Sequence, residues 1–363
     1  MSAVVGARRI VRFLLLGLLL AACLPGLAGA QPFTAWASFV GNPTHGYIQV
    51  PHSAALNPTG AFTFEAWVAI SNNTTGEDCR TIAGKNYTQA YWFGQCNVGG
   101  QPTLRSYLKG GGSAKNGGII PRGVWTHIAI VFNGTQRIHY INGEVAATFP
   151  ESGPLGTSTD PFRIGSDVSW QFTPTGAIDE VRLWNVARTT AQIRSTINVR
   201  VNTPQPGLVA VWPLDGNTLE VIGGRNGAVG GSGVGAQTFA VFANCGSSTG
   251  TALCLLNRFS IRAFWRTSPA GNPPDGNAQV IPVANPGSGI FSFFGTSNWE
   301  ILVKTLNGCG LNNRYWVFSA ATTNVFYRME VWDVTEGEQK IYFNYPGPPA
   351  PAVTDTNAFA TCP

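Results

Sequence analysis

The chain has 363 residues, a formal charge of +5, only 11% charged residues, 44 glycines and 24 prolines. Few charges and many turn formers argue against a helical enzyme and for an all-β protein. Three of the positive charges are Arg8, Arg9 and Arg12; the remainder is near neutral, which speaks against nucleic acid or an acidic membrane as partner.

In chain order, the first element is an export signal over residues 1–30. Its arginines precede an apolar run from Phe13 to Cys23, then Pro25-Gly26 and the small residues Ala28-Gly29-Ala30, the three-part pattern of a cleavable signal peptide. The run is short for a membrane span of about 20 residues, and no other stretch is long enough. The expected location is therefore secreted or extracellular. Leu20-Ala21-Ala22-Cys23 offers an alternative, a lipid anchor on Cys23, and either route leaves six cysteines.

From Ala37 to Trp212 short strand signals follow closely. Tyr47 to Val50 alternates, and in Phe62 to Ile70 the residues Phe62, Phe64, Ala66 and Val68 share one face. Asn133-Gly134 joins the run ending at Phe132 to Gln136–Ile141, and Asn142-Gly143 turns the chain into Glu144–Phe149; Asn-Gly between β runs predicts a hairpin. One helix is predicted over Thr189–Thr196, with threonine as cap. Residues 218–244 are glycine-rich and read as a linker. Strand signals resume from 245 to 363: Arg258–Trp265, Gly289–Phe294, Trp299–Lys304, Asn313–Phe318, Val325–Trp332 and Gln339–Phe343. The expected architecture is a sandwich over 31–217, a linker, and a second, smaller β-sandwich over 245–363.

Several strings carry a resemblance. GYIQVPHSAALNPTGAFTFEAWV (46–68), GVWTHIAIVFNGTQRIHYINGEVAA (123–147), FRIGSDVSWQFTPTGAIDEVRLWNVARTTAQI (162–193) and GLVAVWPLDGN (207–217) stand in the order of a laminin-G-like, concanavalin A-like lectin jelly-roll domain. The first sandwich thus resembles that family, which implies two stacked antiparallel sheets and a role in binding glycans or cell-surface proteins. The final portion resembles a module found at the ends of exported bacterial proteins, which adds localisation but no chemistry.

Catalysis is not expected. A glycosidase needs two carboxyl groups about 5–5.5 Å apart if retaining. The nearest acids, Asp179 and Glu180, are adjacent and so should point to opposite faces of a strand. His127 and His139 sit within strands and read as strand residues, and no Gly-x-Ser-x-Gly elbow or zinc pattern is present. For calcium, which wants several oxygen ligands, the candidates are Asp167 and Asp179; strand-end hydrogen bonding, or an ion pair of Asp179 with Arg182 or Arg188, is the competing role. Cys79 and Cys96 form one expected bridge. Of the three pairings open to the other four cysteines, we expect Cys245–Cys254 and Cys309–Cys362. A sugar site should show aromatics and amides in loops at one end of the sandwich. Two loops qualify: Asn86 with Tyr91 and Trp92, and Trp170 with Gln171. The Tyr91-Trp92-Phe93 run also fits strand core.

Overall fold

The computed structural model describes residues 34–41, 45–71, 78–109, 114–169, 172–283 and 285–363. The export signal, Cys23, Trp170 and Gln171 lie outside them. Among the described residues no helix is long and apolar enough to cross a membrane.

The first sandwich has strands Ala35–Val40 (β1), Tyr47–Val50 (β2), Phe62–Ile70 (β3), Cys79–Gly84 (β4), Trp92–Val98 (β5), Gln101–Tyr107 (β6), Lys115–Ile119 (β7), Thr126–Phe132 (β8), Gln136–Ile141 (β9), Glu144–Pro150 (β10), Phe162–Ile164 (β11), Thr175–Trp184 (β12), Leu208–Trp212 (β13), Ala228–Gly230 (β14) and Val234–Thr238 (β15). One sheet runs β10-β9-β8-β3-β12-β1-β15, with β13 also on β12; the other runs β14-β2-β11-β4-β5-β6-β7. Alternation decides what lies between them: Phe62, Phe64, Ala66 and Val68 point inward and meet Phe93, Leu104 and Ile164 from the facing sheet, as a half-buried period of two requires. Both Asn-Gly pairs make their hairpins, β8–β9 and β9–β10.

The helix Thr190–Thr196 (α1) starts as expected. Thr189 Oγ1 accepts from the Gln192 amide, and the Gln192 side chain answers to the Thr189 amide, a reciprocal box that satisfies two orphan donors.

The expected linker is partly sheet. β14 adds to β2 and β15 adds to β1, so the sandwich extends past 217 to Thr238. Gly231 and Gly233 take φ of 69° and 75°, carrying the chain from one sheet to the other in three residues. A Cβ on Gly46 would lie 2.4 Å from the Ser232 carbonyl oxygen. The glycines are there because strand edges meet closely at this corner.

The second sandwich has strands Leu253–Leu255 (β16), Phe259–Arg266 (β17), Gly276–Asn277 (β18), Gln279–Ile281 (β19), Ser288–Ser292 (β20), Ile301–Asn307 (β21), Tyr315–Ala321 (β22), Phe326–Asp333 (β23), Glu338–Asn344 (β24) and Val353–Phe359 (β25). Its two sheets are β16-β17-β23-β24, with β18 on β17, and β19-β20-β21-β22-β25. All three expected disulfides are present: Cys79–Cys96, Cys245–Cys254 and Cys309–Cys362.

The sandwiches touch along the outer face of the first sheet of the jelly roll. Trp67 packs with Ile197, Ile341 and Phe343, and Trp36 lies edge-on to Phe239, 4.8 Å between centroids. Arg328 donates to the Trp125 carbonyl (2.7 Å), the Ile119 amide donates to the Gly271 carbonyl, and Glu144 is ion-paired with Arg266.

Candidate functional site

The outer face of the β14-to-β7 sheet is the other broad face of the jelly roll; it is half-buried at β2 and β11, exposed at β14, and buried at β4 and β5. Its floor is firm. The Cys79–Cys96 bridge ties β4 to β5, and Trp92, Tyr87 and Tyr107 pack over it. Trp92 is buried and donates from Nε1 to Thr81 Oγ1 at 3.0 Å. Tyr91 faces the other way, into the core. Its hydroxyl donates to the Leu56 carbonyl at 2.8 Å, and burial pushes its pKa up. Neither ring offers a face to a ligand, which corrects the expectation for both. The apolar neighbours on each side of the sheet take them, one per face, as alternation along β5 dictates.

Asn86 is buried in a turn. It has a left-handed φ of 86°, uncommon for a residue with a side chain and best tolerated by asparagine. Three loops are knotted around it. Its amide N–H and that of Tyr87 donate to the Asp167 carboxylate at 2.8 and 3.0 Å, and the Ser169 amide donates to the same group at 2.9 Å. Asn86 Oδ1 accepts from the Thr88 amide (2.9 Å) and from Ser169 Oγ (3.1 Å), while its Nδ2 donates to Asp160 Oδ2 at 2.6 Å. Ser158 Oγ donates to that same oxygen at 2.6 Å. These bonds, Asn86 first and Ser158 next, hold the Asp160 pKa below the usual carboxylate range. Lys85 donates to the Asp160 carbonyl and stands 2.9 Å from His52 Nδ1. Burial lowers the Lys85 amine to about 8, against the pull of Asp160.

Arg163 on β11 continues this cluster onto the sheet. Its guanidinium lies 3.9 Å over the Tyr47 ring, donates to Gln49 Oε1 at 3.0 Å and reaches the Asp167 carbonyl at 3.4 Å. Among the described residues it forms no carboxylate ion pair. Tyr47, Gln49, Lys85, Asp160 and Arg163 are functional candidates that sequence reasoning missed. Asp167 marked the right loop, but the register Arg163↔Gly84 and Arg163↔Gln49 is what gathers the others.

The two calcium candidates do not converge. Asp167 is occupied by three backbone amides on one side of the sandwich. Asp179 is buried on the other, beside Glu180, Asp215 and Arg200. Among the described residues no group of three or more His, Cys, Asp or Glu is placed to hold a metal ion. The ion pairs suggested for Asp179 go elsewhere: Arg182 bonds Glu180 (2.8 Å) and Arg188 bonds Glu65 (2.5 Å). Nor do Asp179 and Glu180 face opposite ways. Glu180 takes a φ of 49° at a bulge between Asp179 and Arg182. The bulge turns both acids toward Arg200, as an extra residue in a strand does.

Known proteins give the following picture. No curated protein sequence matches the chain. Among solved structures, a candidate carbohydrate-binding protein from Bacteroides ovatus is similar at 22% identity and a TM-score of 0.47, covering 57% of this chain and 60% of that one. A pentraxin from Limulus polyphemus is similar at 18% identity and a TM-score of 0.40, covering 57% and 96%. Domain 4 of an extracellular arabinanase from Geobacillus stearothermophilus, in complex with arabinotriose, is similar at 24% identity and a TM-score of 0.33, covering 40% and 70%. The matching family model is Laminin_G_3, over residues 42–194. That segment, which contains the Asn86 knot and Arg163, is similar to the concanavalin A-like lectin/glucanases superfamily.

Proposed function

We propose that the protein is a secreted, non-catalytic recognition protein that binds saccharide at the β2–β11 side of its jelly roll. The observation that carries this is the joined cluster of Asn86, Asp160, Asp167 and Arg163 beside Tyr47. A half-buried guanidinium stacked on the Tyr47 ring, the Gln49 amide and the Asp160 carboxylate lie together, braced from beneath by the buried Asn86 and Asp167. Sugars are recognised by such convergent polar groups around an apolar ring face. The superfamily name covers both lectins and glucanases. Binding is favoured over hydrolysis here because the Asp160 and Asp167 carboxylates are engaged by amide and hydroxyl donors, and the Asp160 pKa is held low, the opposite of what a general acid requires.

A glycan array probed with the mature protein, with and without calcium, tests the reading. Binding should occur to a defined set of saccharides. Arg163→Ala should weaken it at least tenfold while leaving the melting temperature nearly unchanged. No binding to any glycan, or full binding by both Arg163→Ala and Asn86→Ala, sinks it.

A second reading, protein–protein adhesion, has its own observation. The second sandwich bears a hollow of about 420 Å³ lined by Ile290, Trp299, Leu302 and Ala320, with Trp299 59% exposed. Exposed apolar patches commonly mark contact sites. Trp299→Ala would then abolish attachment to cell envelopes that saccharide competitors fail to block.

A further inference from the structure

Beneath the contact between the sandwiches lies a group of charged residues with one member left over. Glu65 is held by Arg188 at 2.5 Å and by His127 at 3.4 Å. Glu180 is held by Arg182 at 2.8 Å and Arg200 at 3.6 Å, and Arg200 also binds Asp215 at 2.7 Å. Three carboxylates thus meet three guanidiniums. Asp179 is a fourth carboxyl, fully buried, with no cationic side chain hydrogen-bonded to it; the one donor beside it is the Glu180 backbone amide. An unpaired anion in such a place costs several kcal/mol, roughly, unless the group takes up a proton instead.

The position matters. Asp179 is the register partner of Trp67 across β12 and β3. Trp67 is the residue on which Ile341 and Phe343 of the second sandwich pack, and its Nε1 donates to the Ile197 carbonyl at 3.0 Å. The charged groups around Asp179 in the described residues are Glu180 and Arg182 on its own strand, Glu65 on β3, His127 on β8, Arg188 and Arg200 flanking α1, and Asp215 after β13. Thr34 also donates to Asp215. The second sandwich presents the uncharged Ile341 and Phe343 to Trp67; elsewhere along the contact it sets Arg328 on the Trp125 carbonyl and Arg266 on Glu144, a second buried acid whose pKa burial raises.

We propose that Asp179 is a neutral carboxylic acid in the folded protein at neutral pH, and that the docking of the second sandwich on the jelly roll is tightened by acid and loosened by alkali through this one proton. Burial first, then the Glu180 and Asp215 carboxyl groups, raise the Asp179 pKa well above its ordinary value, against the charge of Arg200 and the Glu180 amide; burial raises Glu180 and Asp215 too. A folded state that keeps a proton the opened state gives up loses stability as pH rises from the ordinary carboxylate range. The loss is at most tenfold in the opening constant per pH unit, and it stops at the folded pKa.

The test uses the whole mature protein. Asp179→Asn keeps the shape of the neutral acid without its proton. It should raise the melting temperature at pH 8 relative to the parent and remove most of the decline between pH 5 and pH 9. The Ile119 amide, bonded across the contact to Gly271, reports docking. Its hydrogen-exchange protection factor should fall with pH in the parent by up to tenfold per unit and stay flat in the variant. Carboxyl carbon NMR of the parent provides a check that needs no variant: one aspartate should show the shift of a protonated acid at pH 7. An absence of any such aspartate overturns the proposal, as does a variant with the parent's pH slope. A protonated Asp179 with Ile119 protection that does not follow pH overturns the docking half alone.

Discussion

Glu65 and Asp179 are both fully buried acids on the same sheet face, yet they are pushed in opposite directions. For Glu65, burial would raise the pKa, but the hydrogen bond to His127 and the charges of Arg188 and Arg182 outweigh it and hold the group at about 2. A depressed carboxylate stabilises the fold above its ordinary range, near 4.5, and that contribution drains away as pH falls toward 2. Acid unfolding should therefore shift upward in pH when the partner is removed. Arg188→Met leaves Glu65 buried without its cation and should cost roughly 3–5 kcal/mol, read as a large drop in the urea midpoint at pH 7. A loss within error of zero would show that Glu65 is not held by Arg188. The difference between the two acids was not legible in the sequence. Both stand among alternating strand residues, and only register tells which arginine each one meets. The bulge at Glu180 is equally silent, since a glutamate with positive φ has no local signature.

Among the elements, those with local signals were readable. The Asn-Gly hairpins, the alternating run from Phe62 and the Thr189 cap all use contacts within a few residues. The cap can be checked directly: Thr189→Ala removes the acceptor for the Gln192 amide and should cost about 1 kcal/mol, with Thr189→Asn restoring most of it. Strands β14 and β15 were hidden because they are short, glycine-flanked and half exposed, so neither period nor apolar content betrays them. They matter all the same. A jelly roll ended at Asn217 would bare the edges of β1 and β2, and unpaired edges invite sheet-to-sheet association. Such a fragment should aggregate more than one ending after Thr238, since both bare the Trp67 face and only the shorter one bares the two edges; size-exclusion chromatography distinguishes them. The candidate site was legible only in part. Asn86 and Asp167 stood out as polar loop residues, but Asp160 and Arg163, which bond them, and Tyr47 beneath Arg163 come from two other segments. Tyr91 and Trp92 misled because aromatics in a row look like a binding loop until their faces are assigned.

Across the whole molecule, the two sandwiches behave as one unit rather than beads on a string. Ile341, Phe343 and Tyr345 turn toward the jelly roll, where Arg194 lies 3.6 Å over the Tyr345 ring. The second sandwich made alone, from residue 245, would expose this row. It should bind a hydrophobic dye and self-associate, while the full chain does neither. Dye binding equal to that of the full chain would mean that the row is covered some other way. The docking also decides which jelly-roll face meets solvent, and so places the Asn86 and Arg163 cluster on the outward side.

The pairing of β1 with β15 has a consequence for how the protein comes into being. Ala35 pairs with Thr238, and the other neighbour of β1 is the strand carrying Thr175 to Ile178. A chain made from its N-terminus therefore produces β1 early and leaves it without a partner until most of the jelly roll has been synthesised. Contacts so distant along the chain slow folding and prolong the exposure of unpaired edges. The apolar residues Ala37 and Phe39, destined for the core, stay uncovered through that interval.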